Sequence, residues 1–316
     1  LDWRDHIAAS VSGEVLRDVP LAPRVSVRVG GSAALLVKPL SEDDLVATLA
    51  SAREVERPVW VLGGGANTVV GDGGWDGIVV KLPSWGSERI EDFEDSMLLD
   101  LVAGAPSGRL GQLAKEHGLL GAEWAAGIPG TIGGMTAMNA GTRAGEMKDN
   151  IVEVLLCGPD GAEWVTPAVL QFAYRHAELG SRVVARVRCR LRKGDTSQVQ
   201  ASLKAMEDDR GYRKRSQPLH LPNSGSVFRN PAGDAAGRLI ESVGLKGLAE
   251  GGAQISEQHA NFIVNRGGAT ARDVTTLMAR AQKTVFERCQ ILLALEVRLV
   301  GNFIPSADVL GLVIHG

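Results

Sequence analysis

A short apolar run, Val59-Trp-Val-Leu62, stops at Gly63, Gly64 and Gly65 and is followed by Ala66 and Asn67. A strand feeding three glycines offers backbone N–H groups with no side chain in the way, which suits a phosphate or pyrophosphate. The Asn67 amide adds one more hydrogen bond. The dinucleotide pattern GxGxxG is not completed, because Thr68 stands at its third glycine; a tight structural turn reads equally well. Residues 121–146 hold seven glycines and hardly any charge before Arg143. That is too glycine-rich for a stable helix and too apolar for an exposed loop. It points to backbone laid against a flat or extended ligand, the alternative being buried Gly/Ala packing. Ser226 sits in a polar stretch between Pro222 and Pro231. A serine can be a nucleophile or a proton donor, but Val227 and Phe228 follow it, so the hydrolase elbow GxSxG is not formed. Arg175 and Glu296 are charges inside apolar segments. Such a carboxylate is paired, exposed or functional, and partial burial raises its pKa in the way an acid catalyst needs. His259 lies in polar surroundings, as a donor to a ligand or as a surface histidine.

The elements that must position these groups are legible as periodicities. Ser41-Glu-Asp-Asp44 has capping-box spacing, and Leu45, Leu49, Ala52 and Val55 follow on one helical face, ended by Pro58. Ile78–Leu82 and Met97–Val102 read as strands. In 183–192, Val183, Ala185, Val187, Cys189 and Leu191 alternate with Arg186, Arg188, Arg190 and Arg192, a strand with one buried face and an arginine face that reads as solvated, the alternative being an anion site. A helix is expected around Val199, Leu203 and Met206, leading into the basic group Arg210, Arg213, Lys214 and Arg215. Thr270 and Asp273 cap another, with Val274, Leu277, Met278, Ala281 and Val285 inward. Ile291–Val300 reads as a closing strand-like run. Dense strands with few long helices indicate a mixed α+β fold.

Composition sets the outer limits. The chain has 316 residues, 44% hydrophobic and 22% charged, which suits roughly two globular domains. Its 34 basic against 37 acidic residues leave a net charge of −3, which excludes a broadly basic nucleic-acid binder. The 3 cysteines are sparse and odd in number, so a disulfide scaffold is not expected, and no zinc-like CxxC pair occurs. No apolar run approaches the roughly 20 residues that cross a bilayer, and the N-terminal residues lack the apolar core of a signal peptide. The expectation is a cytoplasmic protein with neither metal, membrane nor nucleic-acid partner.

Together these segments resemble one family, UDP-N-acetylenolpyruvoylglucosamine reductase, the FAD enzyme that completes UDP-N-acetylmuramic acid for bacterial cell walls. The resemblance rests on Arg28–Gly31, Val61–Asn67, Gly127–Gly134 with Asn139–Gly141, Tyr174-Arg175, Gly225–Pro231, Ser256–Asn265 and Glu296–Arg298, in the family's order. It implies the shorter variety, without a tyrosine-bearing loop over the substrate. It also implies an FAD-linked oxidase-type α+β fold. Residues 1–19 would be a lead-in, 20–192 an FAD-binding domain of two α+β subdomains, 198–301 a C-terminal substrate domain, and 302–316 a weakly ordered tail. NADPH would reduce FAD, and the UDP-sugar enol ether would then be reduced, serving peptidoglycan synthesis and with it cell shape and division. Ser226 matches the family's proton donor, and Arg175 and Glu296 the groups that stabilise the intermediate. FAD would be held by Gly63, Gly64, Gly65, Ala66, Asn67, Gly127, Ile128, Pro129, Gly130, Thr131, Gly133, Gly134, Asn139, Ala140 and Gly141. Tyr174, Arg213, Arg215, Asn230, His259, Asn261 and Arg298 would contact the substrate. The chain would act as a monomer or weak homodimer. Two other readings are an FAD-linked oxidase of different specificity and a non-catalytic nucleotide-sugar or flavin binder. The absence of histidine between His6 and His117 counts against covalent flavin attachment, and a binder needs no proton donor.

Overall fold

The computed structural model describes residues 2–84, 88–304 and 311–313, and the remainder of the expected 302–316 tail lies outside the described residues. The chain forms two compact units that interleave in sequence. One comprises 1–16, 35–64 and 77–212; the other comprises 17–34, 65–76 and 213–316. The expected boundary near 192–198 therefore falls elsewhere, and two early segments belong with the C-terminal residues. The reason is non-local pairing within the second unit, where Thr68–Val70 runs parallel to Arg298–Val300.

Helix α1 (Trp3–Ser10) lies in the first unit, strand Glu14–Pro20 runs from it into the second, and in the first unit helix α2 (Glu42–Glu54) starts where the Ser41 side chain accepts from Asp44 N–H. Leu45, Leu49 and Ala52 are buried on its inner face, as the spacing predicts. Val59–Val61 then pairs in parallel with Ile78–Val80. A six-stranded antiparallel sheet has at its centre the long strand Val183–Lys193, flanked by Ile151–Gly158 and Ser96–Val102. Its alternation holds, with Val187, Cys189 and Leu191 buried. The arginine face holds at Arg190 and Arg192, which are exposed, and needs correction nearer its start: Arg186 is only 7% exposed, and its Nε lies 2.7 Å from the equally buried Asp100. Arg188 meets Glu153 at 2.8 Å and stacks over Trp164. A buried guanidinium is tolerable only when paired, and Asp100 on the neighbouring strand supplies the pairing.

A second correction concerns 121–146, read as too glycine-rich for a helix. It contains one turn and a half, α4 (Ile132–Ala137), after α3 (Gly108–Glu116). Two local causes offset poor propensity. Thr131 accepts from Gly134 N–H as an N-cap, and Gly133 packs so tightly that a Cβ there would lie 2.8 Å from Ala103 Cβ.

Helix α5 (Thr196–Ser216) carries the chain into the second unit, which holds α6 (Ala236–Ser242), α7 (Ala271–Cys289) and a small antiparallel sheet, Ala249–Glu250, Ala253–Ile255 and Ile263–Asn265. Helix α7 has the anticipated capping box and buried face, and Asp72 also accepts from the N–H groups of Ala271 and Arg272. Of the run 291–300, only Arg298–Val300 is regular strand, with an isolated antiparallel bridge between Phe228 and Leu295. Near the C-terminus, Leu312 is 2% exposed and the buried Gln282 side chain bonds both polar groups of Val313. Among the described residues no helix is long and apolar enough to cross a membrane.

Candidate active site

The glycine turn after Val59–Val61 crosses from the first unit to the second between Gly64 and Gly65. In the first unit the two glycine-rich signals meet backbone to backbone. A Cβ on Gly64 would stand 2.5 Å from Gly130 Cα, and one on Gly63 would stand 3.0 Å from Thr131 Oγ1. Side chains are excluded there by contact as well as by turn geometry. Gly130 has φ +119, and a Cβ on it would meet nothing within 4 Å. The side of Gly130 where a Cβ would project is thus open, with Gly127 and Pro129 exposed beside it. Ser107 Oγ donates to the Ile128 carbonyl at 2.5 Å and its N–H donates to the Gly130 carbonyl, pinning this stretch from below. The Lys81 ammonium donates to the Gly63 carbonyl, and burial lowers its pKa. A glycine backbone open on one side, with a cation at the turn, fits a long, flat, anionic cofactor such as FAD. Sequence reasoning missed Lys81 and Ser107. Lys81 closes the apolar run Ile78–Val80, so the signal that singled out Glu296 was present there too.

Asn139 takes another part. It is fully buried, its Nδ2 donates to the Ala173 carbonyl and its Oδ1 accepts from Lys148 N–H. Its side chain ties the glycine segment to the loop before Arg175. Arg175 has φ +57, rare for a side-chain-bearing residue and costing about 1–2 kcal/mol. Its guanidinium lies over the Tyr174 ring at 4.8 Å, and Nη2 donates to the Gly141 carbonyl at 2.9 Å. Arg175, Tyr174 and Gly141 are thereby brought together in the first unit.

In the second unit the turn's other half meets the serine segment. Gly225 faces the Ala66 carbonyl, 3.7 Å from where a Cβ would sit. Asn67 Nδ2 donates to the Glu296 carbonyl at 3.0 Å, and Arg298 N–H donates to the Asn67 carbonyl at 3.0 Å. Glu296 N–H in turn donates to the Val227 carbonyl at 2.8 Å, next to Ser226. Three signals far apart in sequence, 65–67, 225–227 and 296–298, are therefore one hydrogen-bonded cluster. Arg298 is surface-accessible, yet surrounding protein and the nearby Arg229 charge lower its pKa. The Arg229 Nε is buried and has no hydrogen-bond partner. The Arg229 charge acts on Arg298, and an anion bound near both would relieve that repulsion.

The expected substrate contacts are distributed around this cluster. His259 is partly buried, edge-on to Phe262, with its pKa lowered by desolvation. Its Nδ1 accepts from Asn261 N–H, so the neutral ring carries its proton on Nε2. Asn261 is 4% exposed, and both amide atoms bond the Phe228 backbone. Asn230 is exposed, its Oδ1 accepting from Ala236 N–H at the start of α6. The Arg215 carbonyl accepts from Gln258 in the histidine loop. Arg213 and Arg215 lie in the last turn of α5, where cations also suit the helix dipole.

Residues 33–166 match the model of an FAD binding domain, and residues 217–300 match that of the UDP-N-acetylenolpyruvoylglucosamine reductase C-terminal domain. A UDP-N-acetylenolpyruvoylglucosamine reductase of Anaeromyxobacter sp. (strain Fw109-5) is 52% identical over 303 residues, covering 96% of this chain and 93% of the relative. The chain belongs to the UDP-N-acetylenolpyruvoylglucosamine reductase family. The Myxococcus xanthus reductase is likewise 52% identical, over 92% of this chain and 94% of its own length. The crystal structure of the Thermus caldophilus reductase aligns with a TM-score of 0.76 at 36% identity, over 91% of this chain and 99% of that one. The fold is thus the α+β, FAD-linked oxidase type of this family, the cofactor is FAD, and this reductase is an oxidoreductase.

Proposed function

We propose that this enzyme reduces the enolpyruvyl group of UDP-N-acetylglucosamine enolpyruvate to give UDP-N-acetylmuramate, with electrons from NADPH, as a step of peptidoglycan synthesis. When bound, FAD would supply the two-electron chemistry by which electrons from NADPH reach the β-carbon of the enol ether as hydride. Negative charge then grows on the α-carbon and spreads into the adjoining carboxylate. Arg175 pairs with that carboxylate, which a planar guanidinium can do through two parallel hydrogen bonds. Because charge grows there only as the reaction proceeds, the pairing lowers the barrier. Glu296 shares in stabilising the same charge. Ser226 delivers the proton to the α-carbon. Serine is a weak acid, and the basicity of the enolate carbon drives the transfer, with the Arg229 cation favouring the alkoxide left behind.

Gly63–Asn67 bind the FAD pyrophosphate, joined by Lys81, and 127–141 follow the flavin and ribityl chain. Arg298 with Arg229 takes an anionic group of the substrate, and Tyr174, Arg213, Arg215, Asn230 and His259 complete its contacts. The observation that carries this reading is the Glu296–Val227 hydrogen bond, because it joins the proton donor's segment to the carboxylate's. The test is a flavin spectrum taken in sequence. NADPH should bleach it and the enol ether should restore it. Ser226→Ala should leave the first step nearly intact and stop the second. A reduced flavin that the enol ether cannot reoxidise in the unmodified enzyme would sink the reading.

A further inference from the structure

We propose that Asn261 is a positioning residue for the protonation step, its carboxamide standing in for an absent β-strand that fixes the backbone directly after Ser226. The inference rests on the reading of Ser226 as proton donor. Phe228 faces Leu295 in an antiparallel bridge. The bonds around it, Glu296 N–H to the Val227 carbonyl (2.8 Å) and Arg229 N–H to the Ala294 carbonyl (2.9 Å), make this a non-hydrogen-bonded pair. The N–H and carbonyl of Phe228 therefore point the other way, where a regular sheet would have another strand.

Asn261 occupies that place. Its Oδ1 accepts from Phe228 N–H at 3.0 Å and its Nδ2 donates to the Phe228 carbonyl at 2.8 Å. Its own carbonyl accepts from Val227 N–H at 2.9 Å. The two residues after Ser226 are thus held by three hydrogen bonds from one asparagine. Those partners fix which way the amide points, because only one orientation meets a donor with an acceptor at both ends. Asn261 is itself held by its N–H to His259 Nδ1 at 3.2 Å. Gly237 on α6 closes over it, since a Cβ there would be 3.6 Å from Asn261 Cβ. On the opposite edge Asn67 Nδ2 holds the Glu296 carbonyl at 3.0 Å, so asparagine amides fix both strands of the pair.

Aspartate at 261 has the same shape but sets an oxygen against the Phe228 carbonyl. Glutamine keeps the amide and moves it by one methylene. The experiment measures both half-reactions of the FAD-loaded enzyme by rapid mixing, for Asn261→Asp and Asn261→Gln. Flavin reduction by NADPH should stay within about twofold of the unmodified enzyme, while reoxidation by the enol ether falls by about 10²-fold, the usual scale for a misplaced reacting group. The solvent deuterium isotope effect on reoxidation should rise, because proton delivery has become limiting, and a merely structural role would not move it. Equal loss in both half-reactions, or normal reoxidation, would overturn the proposal. Should Asn261→Asp fail to hold FAD, Asn261→Gln carries the test alone. Ser226→Ala, run alongside, separates the two layers. If it reoxidises normally, the underlying reading fails. If it stalls while both Asn261 variants reoxidise normally, only the role of Asn261 fails.

Discussion

Replacing Gly64 by alanine tests whether the two glycine-rich segments truly meet as described. The added Cβ would stand 2.5 Å from Gly130 Cα, 3.1 Å from its carbonyl carbon and 3.4 Å from its nitrogen. All three are backbone atoms and cannot swing aside as a side-chain end would. Overpacking of this kind costs about 1–3 kcal/mol. The strain has two places to appear. If the turn stays put without cofactor, the apoprotein loses stability, and at about 2–4 °C per kcal/mol for a unit of some 200 residues Tm falls by about 2–12 °C. If instead 127–134 relaxes away, Tm holds and the strain returns on binding, as FAD affinity about five- to 150-fold weaker. Calorimetry of the apoprotein and a fluorescence titration with FAD together capture both. Gly108→Ala is the control. It lies in α3 with nothing within 4 Å of a Cβ, so it should raise Tm slightly through helix propensity. Unchanged Tm together with unchanged FAD affinity in Gly64→Ala would refute the close approach.

Burial pushes the thiols of Cys157 and Cys189 up to about 12, while Cys289 is half-buried. A maleimide should therefore label the native protein at Cys289 alone, and peptide mapping that finds Cys157 or Cys189 modified before unfolding would contradict the packing. His259 has its pKa lowered by desolvation, so as pH falls the unfolded chain takes up the proton first. Its contribution is complete above about pH 6.5 and is lost as pH falls from there toward the folded value. The unmodified protein should lose more Tm between about pH 7.5 and pH 5.5 than His259→Asn does, and identical slopes would show that the ring is not desolvated.

Local signals carried well from sequence to structure. The Thr270 capping box, the inner faces of α2 and α7 and the alternation of 187–192 appear as read, because each depends on neighbours a few residues away; at Ser41 only the serine half of the box forms, since the Asp44 carboxylate accepts from Ser12 and Leu40 N–H instead. What the sequence left hidden depends on partners it does not name. Nothing beside Arg186 indicates that Asp100, opposite Arg188 on the neighbouring strand, will reach it diagonally, so a buried ion pair reads as part of a solvated face. Asn139 and Asn261 had the right residue type for ligand contacts, but backbone groups elsewhere use their amides. Lys81 passed unnoticed because its partner is a carbonyl in a turn it does not adjoin in sequence. The glycines were easiest to single out and hardest to interpret, since a missing Cβ does not tell whether protein or ligand fills the space. At Gly64 it is protein.

The parallel pairing of Thr68–Val70 with Arg298–Val300 bears on how the molecule is made. The earlier strand leaves the ribosome some 230 residues ahead of the later one, the difference between positions 298 and 68. At translation rates of about 5–20 residues per second, it waits on the order of 10–50 s with its edge unmatched. During that interval Val69 and Val70, fully enclosed in the finished protein, are exposed to any passing hydrophobic chain. Slowing translation near the 3′ end of the gene should thus lower the yield of native protein more than slowing it near the 5′ end.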